Sequence, residues 1–212
     1  MAHDDTIDRT MANQTTERSP QPSDDSFDLP DAIENVVSIV DSSEEMDELS
    51  DEVAIATEEL GRRQRRISAE IWLPQSVEQI WHILTDYDHL ADFIPNLDQS
   101  HRLEDVDADT TRIEQIGAEC FLTFKFCARV ILDMVESFPN RIEFKMVEGD
   151  FRSFSGSWNL QPEAVSGQNG TQLRYIVDVE PNRWMPIGLI ERHLKKNLSA
   201  NMVAIRDYAA QA

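Results

Sequence analysis

The segment from Pro186 to Ala210 constrains the fold more than any other part of the chain. Its apolar residues Ile187, Ile190, Leu194, Leu198, Met202 and Ile205 recur at steps of three and four, which aligns them in one stripe along an α-helix. Glu191, Arg192, Lys195, Lys196, Asn201 and Arg206 fall mostly on the other sides. Pro186 suits the first turn, where a missing N–H leaves no bond unmade. At about 1.5 Å per residue the helix is roughly 37 Å long and needs a large apolar partner.

The partner lies upstream. Ile67, Ala69, Ile71 and Leu73 alternate with Ser68, Glu70 and Trp72, the period of two that marks a half-buried strand. Strands are expected around Leu97–Leu103 and Thr111–Ala118, and from Phe121 to Met134, where every even position is apolar. Arg141–Val147 follows with Ile142, Phe144 and Met146 inward. Next comes a strand carrying Phe154, Gly156, Trp158 and Leu160, then a Gly-rich loop at Ser166–Gly170. The last strand has Leu173, Tyr175, Val177 and Val179 inward. Short turns between consecutive strands argue an antiparallel meander. Between the first strand and the meander lie two short helices. Ser76 with Gln79 forms a capping box ahead of Val77, Ile80, Trp81 and Leu84, and Tyr87, Leu90, Phe93 and Ile94 make the second helix. The expected fold is α+β: a curved antiparallel sheet of about seven strands wrapped on the long C-terminal helix, with two short helices after strand 1.

Charge divides the chain. Residues 1–60 hold 18 Asp/Glu against 2 Arg, whereas residues 61–212 hold 22 against 17 Lys/Arg. The first part reads as an acidic, largely disordered tail and the second as one domain. Residues 1–30 have too few apolar groups to offset their ordering entropy. From Asp31 to Leu60 apolar residues appear, and Met46, Leu49, Val53, Ala56 and Leu60 have heptad-like spacing. They read either as a weakly helical solvated tail or as a short docking helix for a protein partner or for the domain's own mouth. Arg62, Arg63, Arg65 and Arg66 form the one dense basic cluster, placed to pair with that tail or to solvate the edge of the first strand. A net charge of −21 argues against nucleic acid, because phosphate-backbone affinity rests on Lys and Arg. The opening MAHDDTIDRT has neither the basic start nor the apolar core of a secretory signal. No run approaches the roughly 18 apolar residues of a membrane span, so the expected compartment is the cytoplasm.

The stretch Thr85-Asp86-Tyr87-Asp88-His89-Leu90-Ala91-Asp92-Phe93-Ile94-Pro95-Asn96-Leu97 resembles the D-Y-x-x-L-x-x-F-x-P segment after the first helix of START-like (SRPBCC) proteins. These are the polyketide cyclase/dehydrase and lipid transport group, which includes coenzyme Q-binding proteins. The strand before it, the helix bearing Trp81 and the closing helix are in matching places, so the resemblance covers residues 64 to 210. It implies a helix-grip fold with a cavity for a hydrophobic ligand. One such fold hosts many functions, and the resemblance alone leaves carrier and cyclase open.

The residues themselves favour binding. The chain has no G-x-S-x-G, H-E-x-x-H, G-x-G-x-x-G or phosphate-binding loop. Its five histidines, His3, His82, His89, His101 and His193, share no metal-ligand spacing. Cys120 and Cys127 read as small buried hydrophobes. No metal or cofactor is expected. The candidate ligand-binding set is the dry-face row Phe124, Phe126, Phe144, Met146, Phe154, Trp158 and Tyr175, with Gln115 and, opposite on the helix, Met202. Gly156 among large neighbours would leave room for a ligand. Gln115, His101 and Tyr175 are the polar groups available to polarise a carbonyl if the protein is a cyclase/dehydrase. Arg183-Trp184-Met185-Pro186, at the sheet–helix junction, suits either transient membrane contact during ligand exchange or packing under the helix. The expected function is binding, transport or chaperoning of a lipid, quinone, pigment or polyketide-like molecule. The alternatives are a polyketide-type cyclase/dehydrase and an interaction module that recruits a protein through the acidic tail.

Overall fold

The computed structural model describes residues 53–118 and 128–211. Within them eight strands form one antiparallel sheet with the order β1-β2-β8-β7-β6-β5-β4-β3. The chain runs β1 (Ala54–Gly61), β2 (Gln64–Leu73), α1 (Val77–Thr85), a single 3₁₀ turn (Tyr87–His89) and α2 (Leu90–Phe93). The meander β3 (Leu97–Asp107), β4 (Thr110–Gly117), β5 (Arg129–Ser137), β6 (Arg141–Gly149), β7 (Ser153–Val165) and β8 (Gln168–Glu180) follows, and α3 (Ile187–Ala209) closes the domain. This is the helix-grip arrangement: an open sheet with one face laid against a long terminal helix.

Alternation decides which face is dry. On β2, Ile67, Ala69, Ile71 and Leu73 are buried; Ile142 and Phe144 on β6, Leu160 on β7, and Leu173, Val177 and Val179 on β8 join them. On α3 the buried residues are Ile190, Leu198, Met202, Ile205 and Ala209: four of the six residues that the spacing nominates, extended by one turn, with Ile187 and Leu194 half-buried. The helix is held at both ends. Arg63 Nη2 donates to the carbonyls of Asn182 (2.9 Å) and Met185 (2.7 Å) in the loop leading into α3. Arg65 Nε meets Glu191 on its first turns at 3.1 Å. At the other end Gln75 Nε2 donates to the Ala209 carbonyl at 3.0 Å, and Phe93 stacks on Tyr208 with centroids 4.2 Å apart. The capping box on α1 is present in full: Ser76 accepts from Gln79 N, and Gln79 returns a bond to Ser76 N.

Two local expectations are corrected. Val53, Ala56 and Leu60 are not helical; they belong to the approach and course of β1, which pairs along β2 from Ala54↔Glu70 to Gly61↔Gln64. An eighth strand therefore precedes the expected first one. The free edge of β2 satisfies the backbone of these residues, and a period of two was present beneath the heptad-like spacing: Val53 is buried, and Ile55 and Thr57 are half-buried. The arginine cluster meets this strand. Arg65 reaches Glu59 at 2.9 Å and Arg66 reaches Glu58 at 3.9 Å, while Arg66 also grips Asp178 on β8. The β7–β8 connection is shorter than the expected Ser166–Gly170 loop. Ser166 (φ 53°) and Gly167 (φ 83°) form a two-residue turn, the left-handed pair that matches strand twist in a hairpin. Gly170 lies within β8, where Trp72 occupies the space a side chain would need. The expected strand over Phe121–Met134 is seen from Arg129 onward; Cys120, Phe124, Phe126 and Cys127 lie outside the described residues, as does the acidic segment 1–52.

Candidate functional site

A cavity of about 150 Å³ lies between the sheet and α3. The sheet supplies Leu132 and Met134 from β5, Phe144 from β6, Phe154 and Trp158 from β7, and Tyr175 from β8. Leu194, Leu198 and Ile205 face them from α3, with Leu84 from α1, Tyr87 from the 3₁₀ turn, Leu90 from α2 and Ile94 just after it. The aromatic wall is continuous. Trp158 and Tyr175 stack with centroids 3.6 Å apart and planes 3° from parallel. Phe144 lies 5.9 Å from Tyr175 and 5.6 Å from Phe154. Such contacts stabilise the wall by roughly 0.5–1.5 kcal/mol per pair beyond burial.

The polar lining consists of carboxamides and phenols. Asn96, Gln115, Asn197 and Asn201 line the cavity, and no charged side chain does so among the described residues. Asn96 Nδ2 donates to Asn201 Oδ1 at 3.2 Å, and Gln115 Nε2 donates to Ser100 Oγ at 3.4 Å. Asn197 Oδ1 is buried with no hydrogen-bond partner. Tyr87 donates to Glu136 Oε1 at 2.8 Å; burial first, then the Glu136 charge and this bond, push its phenol far above the ordinary range. Burial alone pushes Tyr175 up as well. Both phenols therefore stay neutral and able to donate at any physiological pH.

Of the residues expected from the sequence, Gln115, Phe144, Phe154, Trp158 and Tyr175 line this cavity together. Met146 and Met202 do not. Met202 is fully buried within the core, and Met146 packs partly buried against it. Phe124 and Phe126 lie outside the described residues. His101 is exposed rather than inward. The register pairs Ser100 with Gln115 and His101 with Glu114, so Ser100, 1% exposed, takes the inward place beside Gln115. Nor does Gly156 leave room for a ligand. A Cβ there would collide with the Ile176 carbonyl and the Phe144 ring, so Phe144 already uses the space. The amides of α3 were missed. The spacing puts Asn201 among the polar residues of the helix, yet it borders the apolar stripe and lines the cavity. Asn197 and Asn201 are four residues apart, which places them on one face.

The family model described as polyketide cyclase / dehydrase and lipid transport matches residues 73–206. No functionally curated protein sequence matches. Solved structures with similar folds include three bacterial proteins. The Zhui aromatase/cyclase from Streptomyces sp. R1128 is 14% identical with a TM-score of 0.60, covering 70% of this chain and 94% of its own. A STAR-related lipid transfer protein from Xanthomonas axonopodis is 12% identical with a TM-score of 0.59, covering 74% and 98%. A START superfamily protein from Mycobacterium smegmatis is 16% identical with a TM-score of 0.58, covering 69% and 97%. At these identities the likeness establishes the fold.

Proposed function

Since the chain belongs to the polyketide cyclase/dehydrase and lipid transport family, we propose that its domain binds a hydrophobic small molecule between sheet and helix and carries or shields it. The observation that supports this reading best is the cavity itself: lined mostly by aromatic and aliphatic side chains, with four carboxamides and two phenols as its polar groups. Ligand pockets of this kind bury an apolar body and orient it through a few polar contacts. Native mass spectrometry of the purified protein, followed by organic extraction, tests the proposal. A discrete apolar species at near-unit occupancy supports it. A clean apo mass with no uptake from a lipid and quinone panel refutes it.

The cyclase/dehydrase reading rests on Gln115 and Tyr175, which both reach the cavity, the latter as a neutral donor. A Tyr175→Phe protein that still binds a polyketide-like chain but no longer turns it over favours that reading. Recruitment of a protein partner through the acidic segment is tested by a pull-down that depends on residues 31–60. Ligand exchange is proposed to involve brief contact with an anionic membrane at the loop before α3. Trp184 in that loop is 59% exposed and Leu189 on the first turn of α3 is 47% exposed, close in sequence to the exposed Arg183 and Arg192.

A further inference from the structure

The cavity's polar side discriminates among hydrophobic ligands. Lipid carriers that take fatty acids or phospholipids must balance an anionic group, which is costly to bury without a cation. No Lys, Arg or His lines this cavity among the described residues. Its polar equipment is four neutral amides and two neutral phenols, one of them, Tyr87, already committed to Glu136.

Those amides have unused capacity. A carboxamide offers two donors and two lone pairs. Asn96 and Asn201 share a single bond, Gln115 makes one to Ser100, and the Oδ1 of Asn197 makes none. The buried Asn197 Oδ1 loses the bonds that water would give it, a cost of about 1–3 kcal/mol for a neutral group left unpaired. A group that both donates and accepts satisfies Asn197 whichever way its amide is turned. Across the cavity Tyr175, one ring face covered by Trp158, still borders the free space together with Phe144 and Trp158, an aromatic lining suited to a planar ring. The free space is about 150 Å³, the size that holds a benzene ring in an apolar core.

Building on the carrier reading above, we propose that the ligand is an uncharged planar ring system bearing a hydroxyl group. Its ring lies along the Phe144–Trp158–Tyr175 wall, and its hydroxyl bonds to the carboxamides of α3, Asn197 first. Anionic lipids are disfavoured, because no cation lines the cavity among the described residues; plain hydrocarbons bind but leave Asn197 Oδ1 unpaired.

Three probes of nearly the same shape test this by calorimetry on the full chain at pH 7: 2-naphthol, naphthalene and 2-naphthoate. The expected order is 2-naphthol tightest, naphthalene about tenfold weaker, the worth of roughly one neutral buried hydrogen bond, and 2-naphthoate without measurable binding. In Asn197→Leu, which keeps the residue's bulk and favours the helix, 2-naphthol should fall to the affinity of naphthalene while naphthalene is unchanged. Equal affinity for 2-naphthol and naphthalene in the unaltered protein overturns the inference and means that a water suffices for Asn197. Tighter binding of 2-naphthoate also overturns it. In both cases the carrier reading survives. No binding of any probe overturns the inference, and uptake from the lipid and quinone panel then decides the carrier reading separately. Asn197→Leu protein that keeps the full preference for 2-naphthol removes Asn197 from the assignment; Tyr175→Phe, tested beside it, shows whether that phenol provides the bond instead.

Discussion

Replacing Trp158 with alanine separates the binding role of the aromatic wall from its structural one. The indole is half-buried, stacked on Tyr175 at 3.6 Å, and in contact with the cavity. A fully buried Trp→Ala change costs about 3–5 kcal/mol. Half burial brings this to roughly 2 kcal/mol, including about 1 kcal/mol of lost stacking. For a domain of this size that lowers Tm by about 4–8 °C, so the variant should remain folded at 25 °C. A planar ligand lying against the indole loses on the order of 80 Å² of apolar contact, about 2 kcal/mol at 25 cal/mol/Å², which is roughly a 30-fold rise in Kd. Thermal denaturation followed by circular dichroism measures the first quantity, and calorimetry with 2-naphthol the second. Trp158→Phe, which keeps a flat ring, should recover most of both. A folded Trp158→Ala protein whose Kd lies within threefold of the parent would refute the reasoning, because the indole would then be core and not wall.

Gly156→Ala forces a methyl against the Ile176 carbonyl and Phe144; overpacking of this kind costs about 1–3 kcal/mol, and a melting temperature unchanged within 1 °C would disprove the clash. Tyr87→Phe removes a 2.8 Å bond to Glu136 and should cost about 1.5–3 kcal/mol, the range for a hydrogen bond to a charged group, read as a lower urea midpoint at constant slope. Glu191 is held below its ordinary value of 4.5 by bonds to Lys195 and then Arg65. Its ion pairs therefore stabilise the fold above pH 4.5 and cease to do so as pH falls through the lowered value. Glu191→Gln should be less stable than the parent by about 1 kcal/mol at pH 7, and the gap should close at low pH; a gap independent of pH would count against the assignment. Trp184→Ala should reduce co-flotation with phosphatidylserine-containing vesicles and leave 2-naphthol binding intact, whereas equal flotation of both proteins would rule out contact through this loop.

The fold was legible because its strongest signals are periodic and repeated. The α3 stripe, the short helix behind the Ser76 capping box and the alternation on β2, β6 and β8 each bury most of the residues that the spacing nominates, with Ile187, Leu194, Met146 and Tyr175 half-buried. The failures occurred where two periods competed. Around Val53–Leu60 the heptad-like spacing and the two-residue alternation coexist, and local sequence cannot show that β2 has an edge waiting to be paired. His101 failed for a related reason. β3 shifts register against β4 between Leu97 and Gln99, and one residue of slip sends every later side chain to the opposite face.

The site was only half legible, and the division follows from what decides each half. Hydrophobic burial is a property of a whole face, so Phe144, Phe154, Trp158 and Tyr175 could be assigned together to the sheet's dry side without knowing where any ligand space lies. Which dry residues line a void and which fill the core depends on volume. Met202 was expected to face a ligand and is instead fully buried, while Leu194, four residues before Leu198 on the same stripe, borders the cavity. The polar contacts are harder still to read. Asn197 and Asn201 sit at the margin of the apolar stripe, where an amide is compatible with solvent and with a buried partner alike. Only the facing residues decide: Asn96 bonds Asn201, and Asn197 has no such neighbour. That asymmetry between two amides one turn apart is the feature by which this cavity would select a hydroxylated ring over a bare one.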